Sequence, residues 1–459
     1  MRYFGTDGIR GVANEELTPE LAMRAGRAAA HALIDRADAS QPIVVGRDTR
    51  LSGPMLESAL MAGIASVGRH AISVGVLPTP AIACIVRATG AAAGAMISAS
   101  HNPIADNGIK FFGADGFKLS DAVEAAIEAV MERDEFERPT GVGIGQITTA
   151  QNLGKHYYAL LEGLGVDLHG IEVVVDAAYG AAYAVAPHAL RNSGAIVHEL
   201  HCEHDGARIN VHCGATHLEP LREAVTALHA SGKKHVVGVA FDGDADRALF
   251  IDERGATVTG DHILYALALA ARAHHEVRAD RVVGTVMSNI GLERALTAQG
   301  IALDRTAVGD RYLLARMRES GAFLGAEQSG HVIDLRSNTT GDGTMTAFAI
   351  LGEMARSRQR LADLVAAVVE APQVLQNVRV HSKASAQHQG VLEAIDRVER
   401  SLAGRGRILV RPSGTEPLVR VMVEGDDHEE ILRAAAEVSA AIAKVEQEIE
   451  RGRPTTHAG

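Results

Sequence analysis

Short apolar runs alternate with longer amphipathic stretches through most of this 459-residue chain. The short runs, bounded by turn formers, predict buried strands, and the stretches of helical period predict helices. Thr18-Pro19-Glu20 has a cap followed by proline at the first helical position, so a helix is predicted to about Ile34. Strand Pro42–Gly46, helix Pro54–Val67, strand Ala71–Gly75, a helix after Pro80 and strand Gly94–Ser98 follow. Helix Glu124–Glu137 leads into Arg138–Gly145, whose glycines have neither the preceding strand nor the spacing of a dinucleotide fingerprint and read as a linker.

The alternation continues with Ile171–Asp176, Ala195–Leu200 and a helix at about Leu218–Ala230. A third unit starts near Thr257 with helix Asp261–Ala273, then strand Arg281–Val286, helix Ile290–Ala298 and helices Gly343–Arg356 and Leu361–Val369. The remainder reads Val374–Val380, helix Ala386–Leu402, strands Ile408–Val410 and Leu418–Val423, helix His428–Ile449, and a frayed tail from Arg451. The predicted fold class is α/β. Three similar α/β domains (1–150, 151–254 and 255–370) and a smaller C-terminal α+β domain (371–459) surround a central cleft.

Four polar loops interrupt this pattern. Ser98-Ala99-Ser100-His101-Asn102-Pro103 follows the apolar Gly94–Ile97, so a strand delivers hydroxyls to its carboxyl end, where open α/β sheets bind ligands. Asn102-Pro103 then forces a turn. Asp242, Asp244 and Asp246 lie between two apolar runs, and Gly243 and the small Ala245 let the backbone curl so that the carboxylates converge. Converging carboxylates repel unless a cation neutralises them, and oxygen ligands select a hard ion such as Mg²⁺ over the alternative of an acidic surface turn. Glu327, Ser329 and His331 in a glycine-flanked loop fit a polyol, with His331 able to move a proton, or else form a plain polar turn. Arg411-Pro412-Ser413-Gly414-Thr415, with Arg420 beyond, has the hydroxyls, glycine and guanidinium forks of a phosphate cradle, the alternative being a structural turn between two strands.

These loops, in this order, resemble those of the α-D-phosphohexomutases over essentially the whole chain. Phe4–Gly11, Val45–Arg50, Asn107–Phe112, Val286–Asn289, Val308–Tyr312 and Glu327–His331 are similar to the bacterial branch that acts on glucosamine phosphates. The resemblance implies an isomerase that interconverts the 6- and 1-phosphates of glucosamine through a phosphoserine and a bisphosphorylated sugar, supplying amino-sugar nucleotide and cell-wall precursor synthesis. Ser100 is then the phosphorylated nucleophile, whose phosphate completes the Mg²⁺ sphere of Asp242, Asp244 and Asp246. Arg10, Lys110 and Arg247 match positions near the reacting phosphate, with Lys110 and His331 as acid–base candidates. Glu327 and Ser329 would bind sugar hydroxyls, and Arg411, Ser413, Gly414, Thr415 and Arg420 the phosphate that is not reacting. A sugar 1,6-bisphosphate is the implied primer and a homodimer the implied assembly. Tyr179, Ile104 and Ala326 depart from the usual pattern without falling on an implied ligand. A phosphoglucomutase or phosphomannomutase, a Mg²⁺-dependent sugar phosphatase and a noncatalytic sugar-phosphate sensor are the competing readings.

Composition narrows the partners. A net charge of −12 disfavours nucleic acid and anionic membranes, and no apolar run reaches the ~18 residues of a membrane span. Three cysteines and an N-terminus that leads straight into a motif predict a cytoplasmic protein without a signal peptide. Aromatics make up only 3% of residues, so the cores must be built from Ala, Val, Leu and Ile. His198, His201, Cys202, His204, His212, Cys213 and His217 cluster in sequence, but their irregular spacing, without Cys-x-x-Cys, reads as a histidine-rich connection rather than a zinc site.

Overall fold

Helix Pro19–Ala32 shows how a chain poor in aromatics builds its core. Thr18 caps it, accepting from the Leu21 amide, and its buried face is Ala22, Ala25, Gly26, Ala28, Ala29 and Ala30. That small-residue face lets helix Gly53–Ser66 approach closely: a Cβ on Gly26 would stand 2.2 Å from the Leu60 carbonyl oxygen. The computed structural model describes residues 3–5, 7–33, 40–133, 136–274, 279–413 and 417–452. These form two compact units, Met1–Met287 with Ile301–Ala367, and Ser288–Gly300 with Val368–Gly459.

The first unit contains three mixed sheets. β1 (Ile9–Val12), β2 (Ile43–Arg47), β3 (Ala71–Val76), β4 (Ala93–Ile97), β5 (Asp106–Gly113) and β6 (Ile147–Thr149) pair in the order β1-β5-β4-β2-β3-β6. β7 (Glu172–Asp176), β8 (Ile196–Leu200), β9 (Val236–Phe241), β10 (Ala248–Ile251) and β11 (Thr257–Val258) pair as β11-β10-β9-β7-β8. β12 (Arg281–Thr285), β13 (Ala302–Thr306), β14 (Leu324–Ala326) and β15 (Val332–Asp334) pair as β13-β12-β14-β15. The same motif recurs in all three. A strand parallel to its inner neighbour (β4, β9 or β14) turns at its carboxyl end into an antiparallel partner (β5, β10 or β15). The three turns are the serine, aspartate and glutamate loops.

In the second unit β16 (Gln373–Arg379), β17 (Gly406–Pro412) and β18 (Leu418–Gly425) form an antiparallel sheet in the order β16-β18-β17. Helices Gln389–Leu402 and His428–Gly452 accompany it, and Val391, Ala394, Val398, Val421, Val423, Ala435 and Val438 are in its core. Helix Ile290–Ala298 belongs to this unit. The Ile290 amide donates to Glu424 at 3.0 Å, and Arg407 donates to the Ser288 carbonyl at 2.7 Å.

The predicted alternation matches the structure in kind, with local corrections. The antiparallel strands β1, β5 and β15 escape the sequence reading because motif-bearing polar residues mask their period. Helices Lys155–Glu162, Val185–Asn192 and Asp310–Ser320 lie outside the predicted set, and the helix predicted over Leu361–Val369 ends at Leu364. The last helix continues through Gly452, past the expected start of the tail, whose remaining residues lie outside those described. No described helix is long and apolar enough to cross a membrane.

Candidate active site

Ser100 follows β4 in a left-handed conformation, φ 53°, which a residue with a side chain adopts at a cost. The strain is held by hydrogen bonds. Its amide donates to Ser98 Oγ at 2.9 Å, Ser98 Oγ donates to Asp48 at 2.6 Å, and its carbonyl accepts from Arg50 at 2.9 Å and from Asn210 at 2.9 Å. Ser100 is 1% exposed, and its Oγ donates to Asp242 Oδ2 at 2.5 Å. Ser100 and Asp242, 142 positions apart in sequence, thus meet.

The aspartate loop connects β9 to β10. Ala245 takes the left-handed turn, φ 56°, whereas Gly243 serves another purpose: a Cβ there would lie 2.5 Å from the Ser100 carbonyl oxygen. The two loops therefore pack backbone against backbone. Asp242, Asp244 and Asp246 are buried and present one oxygen each within 4.8 Å of one another. Asp244 Oδ1 and Asp246 Oδ1 are buried without a hydrogen-bond partner. Burial, Asp246 and Asp244 push Asp242 up to about 8. Crowded carboxylates with orphan oxygens fit a hard divalent cation.

Lys110, on β5 opposite Met96, reaches Asp244 at 2.8 Å, Asp7 at 3.1 Å and Asp246 at 3.5 Å. Burial opposes its charge, but these carboxylates prevail and hold its pKa well above the ordinary lysine value. Arg10 donates to Asn102 at 3.2 Å and to Asp7 at 2.5 Å. Arg247 Nε stands 3.9 Å from both Asp242 and Asp246. His331 pairs with Arg247 in a single β-bridge and places Nδ1 3.6 Å from Asp246. Burial lowers the His331 pKa, Asp246 raises it, and the net is upward. Arg10, Arg247, Glu327 and His331 line a cavity of about 450 Å³, a volume suited to a small polar ligand. Glu327 accepts from the Gly309 amide at 2.9 Å. Ser329 is exposed and does not line this cavity.

The phosphate-cradle residues lie in the second unit. Arg411 and Arg420 are directly opposed on β17 and β18, and Ser413 is buried, its amide donating to the Leu418 carbonyl at 2.8 Å. Burial, and then Arg420, lower the Arg411 pKa. Like charges facing each other across strands repel, a tension that an anion relieves. Gly414 and Thr415 lie outside the described residues.

Several site residues carried no assigned role in the sequence. Arg50 and Asp48 brace the serine loop, Asp7 and Lys118 flank Lys110, and Thr79 Oγ1 donates to Asp244 at 2.6 Å. Arg50, Asp48 and Asp7 belong to motifs legible as motifs. Thr79, a hydroxyl at a helix start, gives no sequence signal.

Descriptions of phosphoglucomutase/phosphomannomutase domains match successive parts of the chain: alpha/beta/alpha domain I at residues 1–138, domain II at 164–255, domain III at 259–371 and the C-terminal domain at 375–441. A protein named phosphoglucosamine mutase from Moorella thermoacetica is 51% identical over 434 residues, covering 94% of this chain and 96% of that protein. Among solved structures, a phosphoglucomutase/phosphomannomutase family protein from Burkholderia thailandensis superposes with a TM-score of 0.78 at 24% identity, covering 98% of each chain. The N-acetylphosphoglucosamine mutase of Aspergillus fumigatus, solved with GlcNAc-6P and magnesium, gives a TM-score of 0.58 at 17% identity over 97% of this chain and 96% of that one. With its domains matched in order and half its residues shared with a full-length relative, this chain belongs to the phosphoglucomutase/phosphomannomutase family.

Proposed function

We propose that the chain is an isomerase interconverting glucosamine 6-phosphate and glucosamine 1-phosphate, with Ser100 as the phosphoryl carrier. The observation that carries this reading is the 2.5 Å hydrogen bond from the strained Ser100 hydroxyl to Asp242, within a buried acidic cluster beside a cavity that Arg10, Arg247 and His331 help to line. The relatives that share about half its residues bear the name phosphoglucosamine mutase, which supports the amino sugar over glucose or mannose.

Asp242, Asp244, Asp246 and an oxygen of phosphorylated Ser100 would hold Mg²⁺, which when bound neutralises charge on the phosphoryl group. Lys110, kept protonated by its aspartates, holds positive charge at the cluster, and Arg247 and Arg10 add guanidinium donors at the cavity. Transfer breaks the Ser100 Oγ–P bond and forms an O–P bond to a sugar hydroxyl. Lys110 already carries its proton, so of the two acid–base candidates His331 is the one able to take the hydroxyl's proton. His331 is favoured, because it lines the cavity and its Nε2 makes no hydrogen bond. The bisphosphorylated sugar then turns, and Ser100 recovers the other phosphate. Glu327, which lines the cavity, is assigned to a sugar hydroxyl; Ser329, exposed and outside that lining, has this assignment from the resemblance alone, as Arg411, Ser413, Gly414, Thr415 and Arg420 have theirs to phosphate. A sugar 1,6-bisphosphate primes unphosphorylated enzyme, and three free cysteines fit a reducing cytoplasm.

The test is an assay of purified protein with Mg²⁺ on the 6-phosphates of glucosamine, glucose and mannose, with peptide mass spectrometry of Ser100. Preference for glucosamine, stimulation by a bisphosphate and one phosphoryl group on the Ser100 peptide are expected. Preference for glucose or mannose overturns the amino-sugar assignment. Release of inorganic phosphate as the main product points to a phosphatase, and binding without turnover to a sensor.

A further inference from the structure

Apart from the serine–aspartate cluster, a second set of metal-ligating side chains comes together from three segments. Asp176 ends β7, His201 follows the last residue of the neighbouring parallel strand β8, and Cys213 precedes the 3₁₀ turn Gly214–Thr216. One ligand atom of each lies within 4.8 Å of the others, and Asp176 and Cys213 are buried. His201 Nδ1 stands 3.1 Å from Asp176 Oδ2 and pairs with it, at an angle outside good hydrogen-bond geometry. Ligand atoms about 2.0–2.3 Å from a tetrahedral ion are separated by ~3.3–3.8 Å, and the three atoms here, all within 4.8 Å of one another, are within about an ångström of that spacing. The carboxylate is already oriented, because Asp176 Oδ1 accepts from the Ala178 amide and Oδ2 from the Gly214 amide, both at 2.9 Å.

We propose that Asp176, His201 Nδ1 and Cys213 Sγ bind a zinc ion, with a water as fourth ligand. Imidazole, thiolate and carboxylate together select zinc over the hard cation of the aspartate loop. Binding displaces the Cys213 thiol proton to solvent and uses a neutral imidazole. Irregular spacing of the local histidines and cysteines argues against zinc when the sequence is read alone, because it omits an aspartate from the preceding strand. The other residues of that group face other partners. His198 meets Glu172 at 3.0 Å, His204 stacks on Tyr183, His212 and His217 meet edge to face, and Cys202 donates to the Val175 and Leu200 carbonyls. The ion ties the ends of β7 and β8 to the loop containing Asn210, whose amide reaches the Ser100 carbonyl. Its role is to fix that loop, not to take part in the transfer.

The full chain, stripped with a chelator and reconstituted with Co²⁺, tests the site. About one equivalent of Co²⁺ giving a near-ultraviolet thiolate charge-transfer band is expected, with Zn²⁺ erasing it on titration. Cys213→Ser abolishes the band and His201→Gln weakens uptake, while Asp244→Asn, Cys84→Ser and Cys202→Ser retain the band. Wild-type protein without the band in excess Co²⁺ overturns the proposal, leaving a simple Asp176–His201 ion pair. A band that survives Cys213→Ser, or that disappears with Cys84→Ser or Cys202→Ser, overturns it equally. Should Cys213→Ser fail to fold, the wild-type band, its displacement by Zn²⁺ and the two other cysteine variants still decide.

Discussion

The Arg50 guanidinium donates to the Ser100 carbonyl oxygen at 2.9 Å from a position with no solvent exposure. The same fork reaches the carbonyls of Asn102 at 2.8 Å, Pro103 at 2.6 Å and Asp106 at 3.0 Å, and Asp48 balances its charge at 3.1 Å. One planar side chain therefore holds the turn that carries Ser100. Lysine keeps the charge but not the fork. Arg50→Lys is expected to destabilise the fold by about 3 kcal/mol through unpaired buried carbonyls. It should also lower kcat by ~10²-fold as the hydroxyl drifts. Urea unfolding and initial rates check both.

Gly243 stands where the aspartate loop touches the serine loop, and a Cβ would lie 2.5 Å from the Ser100 carbonyl oxygen and 3.0 Å from Asn210 Nδ2. Gly243→Ala forces the loops apart at about 1–3 kcal/mol, the range for overpacking a filled site. Activity should fall by more than stability does, which thermal unfolding alongside Mg²⁺-saturated rates will reveal.

Asp244 combines a carboxylate oxygen bonded to Lys110 and Thr79 with a second that has no hydrogen bond. Asp244→Asn removes one negative charge from the proposed cation site. The Mg²⁺ concentration for half-maximal activity is expected to rise about tenfold or more, equivalent to about 1.4 kcal/mol. Rates measured across a Mg²⁺ titration after chelator treatment provide the check, and an unchanged midpoint would remove Asp244 from the ligand set.

Glu124, on helix Asp121–Arg133, is buried beside Arg311 at 3.2 Å. Burial pushes its pKa up to about 7 from the ordinary 4.5, with Arg311 only partly offsetting this. Between those values the native state holds the proton that the unfolded chain has released. Stability from this residue therefore falls as pH rises through the window. Glu124→Gln has no proton to lose, so its stability relative to wild type is expected to improve from pH 5 to pH 8. Urea midpoints at the two pH values measure the difference.

Neighbouring residues are enough to read most of the elements and the chemical make-up of the loops. The capped helix at Thr18, the apolar runs ending at Ile97 and Phe241, and the aspartates at alternate positions depend on neighbours a few residues away, so they are written in local pattern. Tertiary structure alone decided what those loops meet. Long-range hydrogen bonds from Arg50, Thr79 and Asn210, and the close contact at Gly243, depend on sheet order and backbone approach, which no spacing encodes. The same reason separates a histidine-rich stretch from a candidate metal site: Asp176, His201 and Cys213 become neighbours only because parallel strands end side by side.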